Sequence, residues 1–550
     1  MTRTQHASRT LSPVPAQAGD HHAPAHQPPK APKVAWSAAG CRRRTRVSRA
    51  VLLTILAFQA MLSLRLSNTA FEEEALSLTA GHAEVSRLLH GTPVQIDHAA
   101  YFSGSPRLYP VLAAVVDSQF GLSGVRLLSL LFMLGTTALL YSFTRRLFSE
   151  RAGLAAAGLF SVVQSTIVMG HFATYDAPAV FLLAWATWIV VRTAGMSAPS
   201  VLLAAPVAVL AVGVTYAAGL YLPTIVALAL LTALPHRRGG AFLRSSLLGL
   251  GVSALLVLGV YGTDLSAGVR QAPTSREHGS DGVVFLLEQS VAWGGPLFLA
   301  AVAGAISYAR RHRLHESPPA PGAGGPGPVQ RSLLGALLCA TALLAPAYQM
   351  HSGTVVALFE HVGFGLLFAA PMAGVGLTRL VGAHFRHTHL GIALWSAMLC
   401  IGMAQADWRL ESRPDSSTMI RTISSHVDRE GHYLSSTPEV PAYHLRDRTS
   451  HRQWQGVFGM QYTDRRGARH TGADAYRQAL RDGEFDLVVL DGVTNPRMNG
   501  VIADALERNP HYRLLAALPF HSAGDGVRDH LLRAVPRGEH DGRYRIWSRR

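Results

Sequence analysis

Lysine is almost missing from this chain. Of its 50 basic residues only Lys30 and Lys33 are lysine, so beyond the N-terminal tail every cation is arginine or histidine. Any contact to an anion past that point must be made by a guanidinium or an imidazole. Cysteine is scarce as well: Cys339 and Cys400 sit inside apolar runs and Cys41 in the tail, which excludes a disulfide framework and a cysteine metal site. Charge is low, at 15% of the 550 residues against 49% apolar, and the positive mean hydropathy excludes an ordinary soluble protein of this size. The net charge of +16 does not point to nucleic acid, because the arginines fall in short clusters between apolar runs rather than along one face.

What is present is a succession of long apolar runs. Residues 1–48 are rich in Pro, Ala, His and Gln, end in CRRRTRVSR and read as a disordered basic cytoplasmic tail. No cleavable leader is expected, since the first apolar run begins near Val51 and no small-residue cleavage site follows it. With roughly 20 residues needed per span, eleven transmembrane helices are expected near 49–67, 124–144, 151–169, 175–193, 199–214, 217–234, 241–262, 287–308, 331–348, 361–381 and 388–404. Segments such as RRRTR, RRLFSER and PHRRGG then fall on one side, which the arginine bias of cytoplasmic loops makes the inside. The N-terminus is inside, and the first outer loop 68–123 and residues 405–550 are outside.

The last segment changes character. FDLVVLDG (485–492) reads as a buried strand ending in a turn, DAYRQALRDG and VIADALERN as helices, and YRLLAALPF and YRIWSR as strands. The fold class expected is a polytopic α-helical membrane domain, 49–404, with a C-terminal extracytoplasmic α/β domain, 405–550. Asp491, at the end of its apolar strand, has no Gly-rich phosphate loop or metal cluster around it and is given no site role.

Candidate chemistry gathers on the outer side. FEEEALSLTAGH (71–82) places Glu72, Glu73 and Glu74 at the bilayer lip. Thr69 and Glu72 have capping-box spacing, which explains Glu72 as a helix start. Glu73, Ser77 and Glu84 share one face of the following helix, and Ala75, Leu78, Val85, Leu88 and Leu89 another. In GHFATYDAPAV (170–180), Asp176 opens a membrane helix either as its N-cap or as a functional acid, with Tyr175 beside it. Outer arginines are Arg107 in SGSPRLYP and Arg270 and Arg276 in the loop 261–282; His351 lies at an outer helix end. His82 and His90 are given no role.

The ordered motifs FEEEALSLTAGHAEVSRLLHG, YFSGSPRLYPVLAAVVDS, RLLSLLFMLGTTALLYSFTRRLF, HFATYDAPAVFLLAWATW, HVGFGLLFAAPMAG and FDLVVLDG resemble the bacterial GT-C glycosyltransferases of the protein-mannosyltransferase type, glycosyltransferase family 39, over roughly residues 50–550. The resemblance implies a GT-C fold and transfer of a sugar from a polyprenyl-phosphate donor to a cell-envelope glycan or protein acceptor at the outer face of the cytoplasmic membrane, with inversion. It implies Glu73 in the place of the Asp that serves as base, with Glu74 and Asp176 completing the catalytic acids. Arg270, Arg276 and Arg107 become the donor-phosphate cations, and His351 and Tyr175 candidate substrate contacts. The same three acids could hold a divalent metal ion, though none is required. Two departures stand out: Thr215 precedes Tyr216, and Glu360 precedes HVGFG, where relatives carry lysine. The alternatives are a weakened member binding wall polymer or a partner, and a lipid or sugar transporter, although no inverted repeat is visible.

Overall fold

The computed structural model describes residues 38–64, 69–94, 105, 107–236, 238–262, 281–310, 327–382, 385–411, 415–519 and 542–550. By its internal contacts the chain divides into residues 1–47, of which only the start of a helix is described, and residues 48–550. The first helix, α1 (Ala38–Ser63), begins inside the segment expected to be a tail.

Among the described residues, eight helices are long and apolar enough to cross a membrane. They include Tyr109–Leu147, Gly239–Gly259, Val283–Arg310, Leu358–Val381 and Thr388–Leu410, and the protein is a multi-pass membrane protein. The three remaining expected spans are built from shorter helices. The stretch 151–169 breaks into α4 (Glu150–Phe160) and α5 (Gln164–Met169), because Val163 between them is extended. Asp176–Arg192 forms α6, and Ala204–Val214 forms α7 behind a 3-10 turn.

The segment expected to be the first outer loop is helical over much of its described part. It contains α2 (Glu72–His90) and the opening of α3 (Tyr109–Leu147), which is far longer than a bilayer requires. Gly121, at φ 65°, breaks α3 into two helical segments through a conformation that side chains with a Cβ rarely adopt. On α2, Ala75 and Leu78 are buried as the periodicity indicates, but Leu88 and Leu89 are exposed. The helices Val283–Arg310 and Leu358–Val381 approach through glycine: a Cβ on Gly304 would stand 1.9 Å from the Met372 carbonyl oxygen. Arg244 is buried at the end of α6 and donates to the Thr193 and Val190 carbonyls at 2.7 and 2.9 Å, satisfying backbone acceptors that the helix end leaves open.

The C-terminal region forms a five-stranded sheet ordered β2-β1-β5-β7-β6, with β1 Tyr433–Ser435, β2 Trp454–Gln455, β5 Leu487–Leu490, β6 Tyr512–Pro519 and β7 Arg543–Arg549. A separate hairpin joins β3 Gln461–Thr463 and β4 Arg469–Thr471. β5 pairs parallel with β1 and antiparallel with β7, and is buried at all four positions. The apolar run therefore alternates neither in sequence nor in burial. Helices Gly472–Asp482 and Pro496–Glu507 flank β5 in the chain, as the sequence indicates.

Among the described residues, polar contacts join this sheet region to residues 69–70, α2 and α3. Asp117 of α3 accepts from Tyr443 Oη at 2.6 Å and from Arg446 Nη1 at 2.7 Å, and His82 Nε2 lies 2.7 Å from it. His82, left without a role by the sequence, is part of this clasp. Asp415 accepts from the Thr69 amide and hydroxyl, both at 3.1 Å. His444 Nε2 accepts the Ala70 N–H at 3.1 Å, which requires that nitrogen to be unprotonated.

Burial first, and then the charges of Arg126 and Arg446, hold His444 down to about 4 from the ordinary 6.5. The unfolded chain takes up this proton near pH 6.5 while the folded chain resists until about 4, so the contribution is complete above pH 6.5 and is lost as pH falls through that window. The detergent-solubilised protein should show a melting temperature that declines between these pH values, and a His444→Gln variant a flatter decline. Equal slopes for the two proteins would remove His444 from the account.

Candidate active site

The acidic triplet divides differently from its sequence reading. Helix α2 begins at Glu72, with Phe71 as its N-cap residue, and it is Glu74 that reaches back to accept the Phe71 N–H at 3.3 Å. The Thr69–Glu72 capping box is not formed. Thr69 is engaged with Asp415 instead, and its hydroxyl accepts the Ser416 N–H at 2.7 Å. Phe71 is buried edge-on against Phe172, ring centroids 4.5 Å apart, which fixes where the loop enters the helix.

Glu74, expected among the catalytic acids and metal ligands, is a buried structural anchor. Its side chain is fully covered, and Arg126, 1% exposed, grips both carboxylate oxygens: Nε to Oε1 at 2.9 Å and Nη2 to Oε2 at 2.6 Å. Oε1 also accepts the Ala173 N–H at 2.7 Å, and Arg126 Nη2 donates to the Thr69 carbonyl at 3.0 Å. A carboxylate holding four donors has nothing left for a metal, and as a base it would have to abandon a buried guanidinium. The signal for Arg126 was present in the sequence as an arginine inside the apolar run SGVRLLSLLF.

Glu73 is the exposed member of the triplet. One residue along a helix rotates the side chain by about 100°, so the anchor that buries Glu74 turns Glu73 outward. The same anchor holds Ala173, three residues before Asp176, the first residue of α6. Asp176 is 6% exposed and is not the N-cap, a place taken by Tyr175. The carboxylates of Glu73 and Glu360 both act electrostatically on Asp176. Arg409 binds Glu360 through Nη2 at 2.9 Å and also feels the charges of Glu73 and Asp176. Its guanidinium carbon lies 5.5 Å from the Phe359 ring centroid.

The candidate site is therefore the Arg409–Glu360 pair together with Glu73 and Asp176, whose charges act on it, drawn from α2, α6 and the Leu358–Val381 and Thr388–Glu411 helices. Glu360 and Arg409 were missed by sequence reasoning. Glu360 registered only as a departure from lysine, and nothing local pairs it with a residue 49 positions away. Among the described residues no three His, Cys, Asp or Glu side chains gather closely enough to hold a metal ion, so the expected set of Glu73, Glu74 and Asp176 is not formed.

The other candidates are placed as follows. Arg107 is exposed, with Nε 3.9 Å from Glu84 Oε1, and Glu84 is itself buried and bound to Arg87 at 2.8 Å. Tyr175 is half-buried beside Asp176, and His351 is exposed near the end of the helix Leu344–Ser352. Arg270 and Arg276 lie outside the described residues.

Residues 111–261 match the family model described as dolichyl-phosphate-mannose-protein mannosyltransferase. In fold the chain is similar to ArnT from Cupriavidus metallidurans bound to undecaprenyl phosphate, at 13% identity and TM-score 0.54, covering 93% of this chain and 98% of that one. It is also similar to the oligosaccharyltransferase AglB from Archaeoglobus fulgidus in complex with an inhibitory peptide and a dolichol-phosphate, at 12% identity and TM-score 0.51, covering 90% and 75%. No curated protein matches the chain in sequence. The expected protein-mannosyltransferase resemblance is thus supported in sequence over residues 111–261, and the likeness to the solved structures, at these low identities, is one of fold. The matched segment contains Arg126 and Asp176, while Glu73, Glu74, Glu360 and Arg409 lie outside it.

Removing one partner of the buried pair leaves the other charge stranded. Glu74→Ala should cost about 3–5 kcal/mol, whereas the double change Glu74→Met with Arg126→Met should recover most of it. Thermal melting of the purified proteins distinguishes the two, and a double variant no better than the single one would contradict the anchor.

Proposed function

We propose that this protein is a membrane glycosyltransferase that moves a sugar from a polyprenyl-phosphate donor to an acceptor hydroxyl at the outer face of the cytoplasmic membrane. The observation that carries the reading is the Arg409–Glu360 ion pair at 2.9 Å, with exposed Glu73 on α2 and buried Asp176 at the start of α6 near enough for their charges to act on Arg409. The fold, and the polyprenyl phosphates bound to both similar structures, support it.

In this reading the acceptor oxygen attacks the anomeric carbon of the donor sugar, the bond from that carbon to the phosphate oxygen breaks, and polyprenyl phosphate leaves with the bonding pair. Glu73 takes the hydroxyl proton as the new bond forms, being the exposed acid of the triplet and so able to meet an acceptor. Attack from the face opposite the leaving phosphate inverts the sugar. Buried Asp176 positions the acceptor side of the site. The phosphate leaves already charged, so it needs cations more than a proton. Arg409, paired with Glu360 at 2.9 Å, supplies one beside the position where the resemblance implies a lysine. Arg107, Arg270 and Arg276 are the further candidates from the outer loops. No step requires a metal ion. Residues 405–550 serve as an outer domain that presents the acceptor, and residues 1–48 remain in the cytoplasm.

Membranes carrying the wild type and given labelled polyprenyl-phosphate sugars should transfer label, and Glu73→Gln should reduce transfer at least about 100-fold with an unchanged melting temperature. Transfer surviving intact in Glu73→Gln would eliminate it as the base. For orientation, the three native cysteines are replaced first. Ser425→Cys should then react with a membrane-impermeant maleimide on intact cells and Ser197→Cys only after permeabilisation; the reverse pattern would invert the topology.

A further inference from the structure

A cavity of about 630 Å³ opens in the C-terminal domain at the carboxyl end of β5, between the helix Pro496–Glu507 and β7. This is the size of a small-ligand site, at the end of a parallel strand pair where α/β sheets commonly hold ligands. Its wall is cut back to small residues: Gly492, Gly500 and Ala503 line it, and a Cβ built on either glycine would meet nothing within 4 Å. The wall is open because side chains are missing from it, not because they are turned aside.

The charges facing the cavity are unequal. The acid in its lining, Asp491, is spent inward: it is 7% exposed and accepts from the Val493 and Thr494 amides at 3.0 and 3.1 Å, from Asn499 Nδ2 at 3.1 Å and from the Thr494 hydroxyl. Arg543 and Arg545 also line the cavity, both exposed on one face of β7 two residues apart. Arg545 Nη1 stands 3.9 Å from Glu507 Oε1, with both side chains more than half exposed, a weak pairing that an incoming anion can displace. Two guanidinium forks on one face suit the oxygens of a phosphate or carboxylate.

Tyr544 lies between the two arginines and faces the other way. It is 4% exposed, and its hydroxyl is 2.8 Å from Ser416 Oγ, whose own amide donates to Thr69 in the loop leading into Glu72, Glu73 and Glu74. β7 therefore presents two arginines to the cavity on one face and is bonded to the loop of the candidate base on the other. From these observations we infer that the cavity binds an anionic sugar residue of the acceptor, through its phosphate or carboxylate, on Arg543 and Arg545. The cavity and its charges stand on their own geometry, while the role of the ligand as acceptor rests on the function proposed above.

Binding to the full-length protein in detergent is measured by calorimetry with glucose 6-phosphate, glucuronic acid, inorganic phosphate and glucose. At least one of the two anionic sugars should bind tenfold or more tighter than glucose and than inorganic phosphate, and which of them does so identifies the anion as phosphate or carboxylate. Arg543→Gln with Arg545→Gln should weaken that binding at least tenfold. Gly500→Leu, which fills the cradle from an exposed helix position, should do the same with the melting temperature unchanged. Equal affinity for glucose, equal affinity for inorganic phosphate, or undiminished binding in the double arginine variant would each overturn the inference. Glu73→Gln should bind the sugar anion as the wild type does, so a failure of the proposed base leaves this result readable by itself.

Discussion

One buried ion pair organises the membrane face of this protein. Glu74 and Arg126 are almost completely removed from solvent, and Nε and Nη2 meet the two carboxylate oxygens separately. A lysine ammonium is a single point charge and could not match both oxygens while also holding the Thr69 carbonyl. In a chain nearly devoid of lysine, arginine makes this knot, tying together the entry to α2, the second segment of α3 and the turn before α6. Burying two charges is costly, and the geometry offsets that cost by satisfying the remaining acceptor positions with backbone amides.

The candidate chemistry follows from that knot. Glu73 is exposed because Glu74 is anchored, and Asp176 is placed because Ala173 is bonded to the same carboxylate. Glu360 and Arg409 pair with each other at 2.9 Å from two further helices, and the charges of Glu73 and Asp176 act on Arg409 as well. The sheet domain is fastened to the same loop through Asp117, Asp415 and His444, at separate points along α3 and residues 69–70. An acceptor held by that domain would thus be held relative to Glu73, which is what a transfer between two bound substrates needs.

Much of the architecture was legible residue by residue. The apolar runs announced the membrane helices, and FDLVVLDG with its flanking segments announced the strands and helices around β5. Boundaries were less legible where backbone geometry decides: Gly121 splits one helix, and Val163 divides a run whose composition is continuous. The division of labour within the triplet was misread at Glu72 and Glu74, since capping spacing fits Thr69–Glu72 as well as Phe71–Glu74 and only the partner of Thr69 discriminates. His82 and Asp117 carried no local mark of the clasp they form with Tyr443 and Arg446.

By itself, then, the order of residues determined which segments are apolar and long enough to cross a bilayer and where the strands and helices around β5 lie, because hydropathy and periodicity act over a turn or two of chain. Only the tertiary structure decided which acid is sealed and which is presented, and which arginine answers each. A carboxylate's role depends on the donors and solvent around it, and here those come from residues 52 and 99 positions away for Glu74 and 49 for Glu360. Local pattern carries no information over such separations, whereas packed helices bring them within 3 Å.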